Sequence, residues 1–208
     1  MSEFDIFIKR LIQGAQNVFF RDVIKSSSGF NIYKVDGVYL DAITKIKESL
    51  KGDLDSISKS VEKNYNKRVN ELSNYLEGII KIHINNNLKG FVASIPNAGK
   101  NKQSAGYPDL IVEFERGKYI YIEVKIYQKK AINSSFRTFY FKPSKQDKIM
   151  ESCPHILIGF EVESLGKNNT APFRINNFKI IDLYNLKVNL KPEFNASNPM
   201  IYKSCKEI

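Results

Sequence analysis

The sequence predicts a mixed α/β protein, with helices flanking a mixed central β-sheet, and three observations point that way. From Tyr65 to Glu163 the apolar period runs helix, strand, strand, strand, helix, strand, with SSFRTFYF as an extra strand before the second helix. The run HILIGFEVE is apolar on both faces, as befits a strand in the middle of a sheet. A chain of 208 residues is long enough to bury a sizeable core in one large domain.

Taken in order, the chain opens with MSEFDIFIKRLI, which sets Phe4, Phe7, Ile8, Leu11 and Ile12 on one stripe of a helix expected from Glu3 to Phe20. Asp5, Lys9 and Arg10 interrupt its apolar face, so it is neither a signal peptide nor a membrane span. NIYKVDGVYL carries an Asp-Gly pair between two β-prone runs and predicts a hairpin. A short helix is expected over Asp41 to Leu50, then a break at Gly52 with Asp53 as the next N-cap. Leu54, Ile57, Val61, Tyr65, Val69, Leu72, Leu76, Ile79 and Ile80 follow at steps near three and four, predicting one long helix or two joined ones.

FVASI at 91–95 reads as a short strand, and IPNAGKNKQSAGYP as a loop. DLIVEFE and KYIYIEVKIY form a hairpin about Arg116 and Gly117. SSFRTFYF, a helix from Ser144 to Ser152, HILIGFEVE, a strand near FKIIDLYNL and an irregular tail complete the chain. Residues 1–208 are expected to form a single domain: an N-terminal elaboration over 1–64 for dimerisation or DNA contact, a core over 65–163, and a C-terminal strand and tail over 164–208.

A formal net charge of +10 favours polyanionic partners. Abundant Lys, Asn and Ile can also reflect an AT-rich coding sequence, so the distribution of charge is more informative than its total. Between Lys89 and Lys148 stand twelve basic residues against five acidic ones. The two cysteines, Cys153 and Cys205, form no CxxC or Cys/His cluster, which argues against a zinc site or a disulfide framework and suits a reducing cytoplasm. His83 and His155 are too isolated for a metal site or a triad, His155 reads as a strand-end residue, and Cys153 as a small core residue.

Charged residues in the central hairpin need an explanation, because an unpaired buried charge is costly. Glu123 and Lys125 leave one face of their strand, behind Tyr119 and Tyr121, while Ile120, Ile122 and Val124 face the other way. Two carboxylates, Asp109 and Glu123, with the Val124 carbonyl would make a hard oxygen cluster suited to Mg²⁺. A strict two-residue turn would set Asp109 opposite Val124, on the wrong face. A three-residue connection would set it opposite Lys125, so a three-residue loop or a bulge is expected.

Pro108-Asp109, thirteen residues, then Glu123-Val124-Lys125 resembles the signature of the PD-(D/E)XK nuclease superfamily, and the order of elements around it resembles the restriction endonuclease-like core. Within that superfamily the chain looks most like a type II restriction endonuclease. The resemblance implies Mg²⁺-dependent hydrolysis of DNA at a short duplex sequence, with Mn²⁺ able to substitute. It makes Asp109 and Glu123 metal ligands with the Val124 carbonyl, and sets Lys125 beside the attacking water and the scissile phosphate. A further carboxylate often comes from the helix before the sheet in this family. Glu77, at the border of the buried stripe, is favoured over Glu71, which neighbours Lys67, Arg68 and Asn74.

Expected DNA contacts are Lys100, Lys102 and Gln103 in the loop before the motif, and Ser134, Ser135, Arg137 and Thr138 in SSFRTFYF. Arg137 is equally suited to bridging a sheet carboxylate, and Lys129 and Lys130 to nonspecific backbone contact or plain solvation. A cytoplasmic homodimer is expected, with a cognate DNA methyltransferase as a functional rather than bound partner. Two other readings stand beside this one: a structure-specific or repair nuclease of the same fold, and a non-catalytic basic nucleic-acid-binding module.

Overall fold

The computed structural model describes residues 2–97, 106–133, 139–143 and 148–190. In chain order its elements are α1 (Glu3–Gln13), β1 (Val18–Phe19), α2 (Phe20–Ser28), β2 (Ile32–Tyr33), α3 (Gly37–Gly52), α4 (Leu54–Asn64) and α5 (Leu72–Asn87). Then come β3 (Val92–Ser94), β4 (Leu110–Glu115), β5 (Lys118–Tyr127), β6 (Cys153–Ser164), β7 (Phe173–Asp182) and β8 (Lys187–Val188). Contacts divide the chain into a smaller unit, Met1–Phe19 with Lys187–Ile208, and a larger one, Phe20–Leu186.

In the smaller unit, Ser2 and Asp5 cap α1 reciprocally, each side chain bonding the other's backbone N–H. The helix expected to reach Phe20 stops at Gln13. Gly14, at φ 61°, turns its N–H back onto the Arg10 and Leu11 carbonyls, a termination that a side chain would strain. β1 then pairs antiparallel with β8, Val18 opposite Val188.

In the larger unit the sheet runs β2-β6-β5-β4-β3, with β7 also paired to β6. β5 and β6 are parallel, β4 is antiparallel to both of its neighbours β3 and β5, and β7 returns antiparallel along β6. The mixed sheet flanked by helices is therefore as the sequence predicts, with a restriction endonuclease-like core arrangement. HILIGFEVE lies within β6, an interior strand paired to β5 on one edge and to β7 and β2 on the other. β7 begins five residues before the predicted FKIIDLYNL run.

The predicted hairpin at Asp36-Gly37 does not form. Ile32 and Tyr33 instead pair parallel with Cys153 and Pro154 of β6. Asp36 becomes the N-cap of α3, its carbonyl accepting from Leu40 N–H. The helical stripe from Leu54 to Ile80 resolves into two helices, α4 and α5, joined through Tyr65 and a single 3₁₀ turn at Val69–Glu71. The described part of SSFRTFYF, Phe139 to Phe141, is not a strand, and residues 148–152 are not helical; the remainder of both predicted elements lies outside the described residues. Phe139 and Phe141 pack edge-on against Phe20 and Tyr107, so aromatic burial rather than backbone pairing holds that segment.

One core joins α3, α4 and α5 to the inner face of the sheet, through Leu76, Ile80, Ile84, Val112, Ile120, Ile122, Val124 and Ile158 among others. Along β3 the side chain of Asn85 imitates a neighbouring strand: it accepts from Ala93 N–H at 2.7 Å and donates to Ala93 O at 3.0 Å. Ser58 likewise accepts from Ile175 N–H at 2.9 Å, tying α4 to β7. Leu76 is fully buried between α5 and the sheet. Leu76→Ala is expected to cost about 2–5 kcal/mol in a urea unfolding measurement, because the cavity cannot close between two rigid elements.

Candidate active site

The hairpin of β4 and β5 brings Asp109 to the required face by a bulge, the second of the two expected alternatives, and not by a three-residue loop. Its turn has two residues, Glu115 standing opposite Lys118, with Gly117 at φ 75° supplying the left-handed conformation. Phe114 then bulges without a partner, so that Glu113 faces Tyr119 and Leu110 faces Ile122. The bulged ring packs against Tyr39 and Phe91, and the Glu113 carboxylate accepts from Gly117 N–H at 3.0 Å. One step beyond Leu110, Asp109 comes opposite Glu123. The expected partner, Lys125, was two positions off, but the face is as predicted.

Three charged side chains therefore meet on the outer face of β5. Asp109 Oδ2 accepts from Val124 N–H at 2.8 Å. Lys125 Nζ donates to Glu123 Oε1, two residues away on the same face. The Asp109 and Glu123 carboxyl groups share this face closely enough for the Asp109 charge to act on Glu123. Among the described residues, Glu123 Oε2 is buried without a hydrogen-bond partner. Lys125 keeps 29% of its side chain exposed, so the pocket opens on the lysine side.

Glu77 joins from α5: its charge acts on Asp109, Lys125 and Lys148, whereas Glu71 is exposed at the preceding 3₁₀ turn. Burial, and then the Asp109 charge, raise the Glu77 carboxyl to about 7. The same two causes raise Glu123 to about 7, and burial also raises Asp109 despite the opposing pull of Lys125. Three carboxyl groups that resist ionisation together form a site in want of positive charge.

That is the condition for a divalent cation. A buried carboxylate oxygen without a donor, a second carboxyl on the same face and a backbone carbonyl nearby match the hard oxygen donors such ions prefer. An extended residue sends its N–H and C=O out along one edge, so the Val124 carbonyl leaves toward the side where its amide meets Asp109. Among the described residues no three His, Cys, Asp or Glu side chains could hold an ion by themselves, so carbonyl and water ligands would complete the set.

These shifts also predict how the metal-free protein responds to pH. In the unfolded chain Glu77 and Glu123 lose their protons near the ordinary glutamate value of 4.5, but in the folded protein only near 7. Between those values the folded state binds more protons, so stability falls as pH rises through the window. In chelator, the melting temperature is expected to be higher at pH 5.5 than at pH 8, and Glu77→Gln to flatten that difference.

Two parts of the site gave no signal in the sequence. Lys148, taken above as part of a helix, is buried, and its ammonium lies among the charges of Asp109, Glu77 and Glu123. His155 is not a strand-end residue but fully enclosed. Its Nδ1 bonds the Tyr107 hydroxyl at 2.7 Å, its ring stacks on Tyr107 and meets Tyr121 edge-on, and burial lowers it to about 3. His83 bonds Ser49 at 2.8 Å and Asn87 at 3.0 Å, away from the site. Cys153 is buried as expected, and burial pushes its thiol up.

Lys129 and Lys130 are exposed just past β5. Lys100, Lys102, Gln103, Ser134, Ser135, Arg137 and Thr138 lie outside the described residues. No helix among the described residues is long and apolar enough to cross a membrane.

Residues 13–205 match the model of a family described as the type II restriction enzyme MjaV family. The chain is also 36% identical, over 220 aligned residues, to the protein named Type II restriction enzyme MjaV of Methanocaldococcus jannaschii. That alignment covers 97% of this chain and 92% of that protein.

Proposed function

Because the chain belongs to the MjaV family of type II restriction enzymes, it is a DNA-binding phosphodiester hydrolase, and we propose that Asp109, Glu123, Lys125 and Glu77 form its catalytic centre. The convergence of Asp109, held by the Val124 amide, on Glu123, which is buried and paired to Lys125, is the observation that supports this reading. Type II restriction enzymes use a divalent metal, and Mg²⁺ is proposed here, with Mn²⁺ as a substitute. Asp109, Glu123 and the Val124 carbonyl would hold it.

When bound, such an ion acidifies a water to a nucleophile and offsets charge on the phosphate. The chain's own residues do the rest. Asp109, fixed by the Val124 amide, and Glu123, fixed by Lys125, are preorganised as acceptors before DNA arrives. Lys125, at the open side of the pocket, is proposed to stand beside the attacking water and to stabilise the extra negative charge of the pentacovalent phosphate. Glu77, protonated more readily than an ordinary glutamate, can take up a proton from that water or hold a second one in line.

A homodimer matches the two-fold symmetry of short duplex sites. Exposed Phe4 and Phe7 on α1 support the N-terminal segment as part of its surface. A cytoplasmic location, beside a methyltransferase that protects host DNA, follows from the same role. Incubation of plasmid DNA with the protein and Mg²⁺ tests the reading. Discrete bands that vanish in chelator support it, whereas a smear or cutting confined to branched DNA favours the structure-specific alternative.

A further inference from the structure

Asp109 is held by a corner of chain, Gly106 to Pro108, that is itself fastened from two sides. On one side the Tyr107 hydroxyl bonds His155 Nδ1 at 2.7 Å, and Phe20, Phe139 and Phe141 enclose the Tyr107 ring. On the other side Lys148 Nζ donates to Gly106 O at 2.8 Å and Pro108 O at 3.3 Å. Pro108 is the residue directly before Asp109.

The Lys148 backbone is fastened in turn. Tyr121, two residues before Glu123 on the same face of β5, accepts from Met150 N–H at 2.9 Å and donates to Lys148 O at 3.4 Å. A closed circuit results, in which β5 fixes residues 148–150, the ammonium fixes the Gly106–Pro108 corner, and the corner delivers Asp109 to Val124 and Glu123. With only 4% of the residue exposed, Lys148 cannot act as a phosphate contact on the surface.

Burying an ammonium is expensive unless it is well paired, and here two carbonyls and three nearby carboxyl groups compensate it. Lysine suits the task better than arginine, since a compact ammonium can direct donors to two carbonyls on one short corner, while a planar fork needs more room.

We propose that Lys148 is a positioning residue for DNA cleavage: by pinning the Gly106 and Pro108 carbonyls it holds the Asp109 carboxylate in the geometry that the reaction uses. This inference rests on the reading of Asp109 and Glu123 as the metal-binding carboxylates. Lys148 acts through Asp109 and touches neither DNA nor the reacting atoms.

Steady-state cleavage of a plasmid that the wild-type protein cuts, together with calorimetric titration of Mn²⁺ without DNA, tests it. For Lys148→Met, kcat and Mn²⁺ affinity are each expected to fall about 10–100-fold, as is usual for residues that orient metal ligands, while KM for the plasmid stays within about threefold. Lys148→Gln, which keeps a donor for one carbonyl, is expected to recover part of both losses. Unchanged kcat and Mn²⁺ affinity would overturn the proposal, as would a raised KM at unchanged kcat, which would make the lysine a DNA contact. Should Lys148→Met not fold, Lys148→Gln is read by the same criteria, and failure of both to fold makes the residue purely structural and also overturns it. Asp109→Ala runs beside them: if it still cuts, the reading of the site itself fails, and if it is inactive while Lys148→Met is normal, only the role of Lys148 does.

Discussion

Asp109→Asn and Glu123→Gln are each expected to slow cleavage by roughly a thousandfold or more while the folded protein keeps its circular dichroism spectrum. Asparagine at 109 retains an oxygen that can accept from Val124 N–H at the place where Asp109 Oδ2 now does, so the local fold is spared and the negative charge alone is lost. A variant that kept near-normal activity would show that the aspartate merely braces the strand and would remove it from the catalytic centre. Glu123→Gln carries a second signature. Glutamine removes a buried charge that burial and Asp109 both oppose, so in chelator at pH 8 this variant is expected to melt no lower than the wild type. A residue kept for stability would behave in the opposite way.

Lys125→Ala is the other large effect, an expected loss of about a hundredfold to a thousandfold in kcat with little change in KM for DNA. The lysine stands at the accessible side of the pocket, and a charge whose role is felt mainly as the phosphate gains negative charge shows itself in turnover rather than in binding. Lys125→Arg is expected to restore only a small part, because a guanidinium fork does not reproduce a point charge tethered to Glu123. Rapid-quench measurement of a single turnover separates the two cases. A rate within about threefold of wild type would leave Lys125 as a structural counter-ion to Glu123.

The central part of this protein could be read from its sequence because strand alternation is a local property. Ile120, Ile122 and Val124 declare one face of β5, and Tyr121, Glu123 and Lys125 the other, whatever the rest of the chain does. Glu77 was legible for a similar reason, as its place beside the buried stripe follows from helical spacing alone. Asp36-Gly37 misled because a turn signal states only that the chain bends. Whether Ile32 and Tyr33 pair with the next residues or with Cys153 and Pro154, some 120 positions away, depends on contacts that no window contains. Lys148 was invisible for the same cause. Nothing in SKQDKIM separates a lysine in water from one bonded to two carbonyls, since its partners, Gly106 and Pro108, are about forty residues earlier.

Phe114, the unpaired residue of β4, has a consequence for how the gene can vary. A strand alternates strictly, so the placement of Asp109 depends on whether the residue count around the hairpin is odd or even. Removing the bulge by deleting one residue would invert that parity and turn the aspartate into the hydrophobic interior, whereas losing two would keep it facing outward and only slide it along the ribbon. Length changes tolerated in this hairpin are therefore those that come in pairs, or those accompanied by a compensating kink.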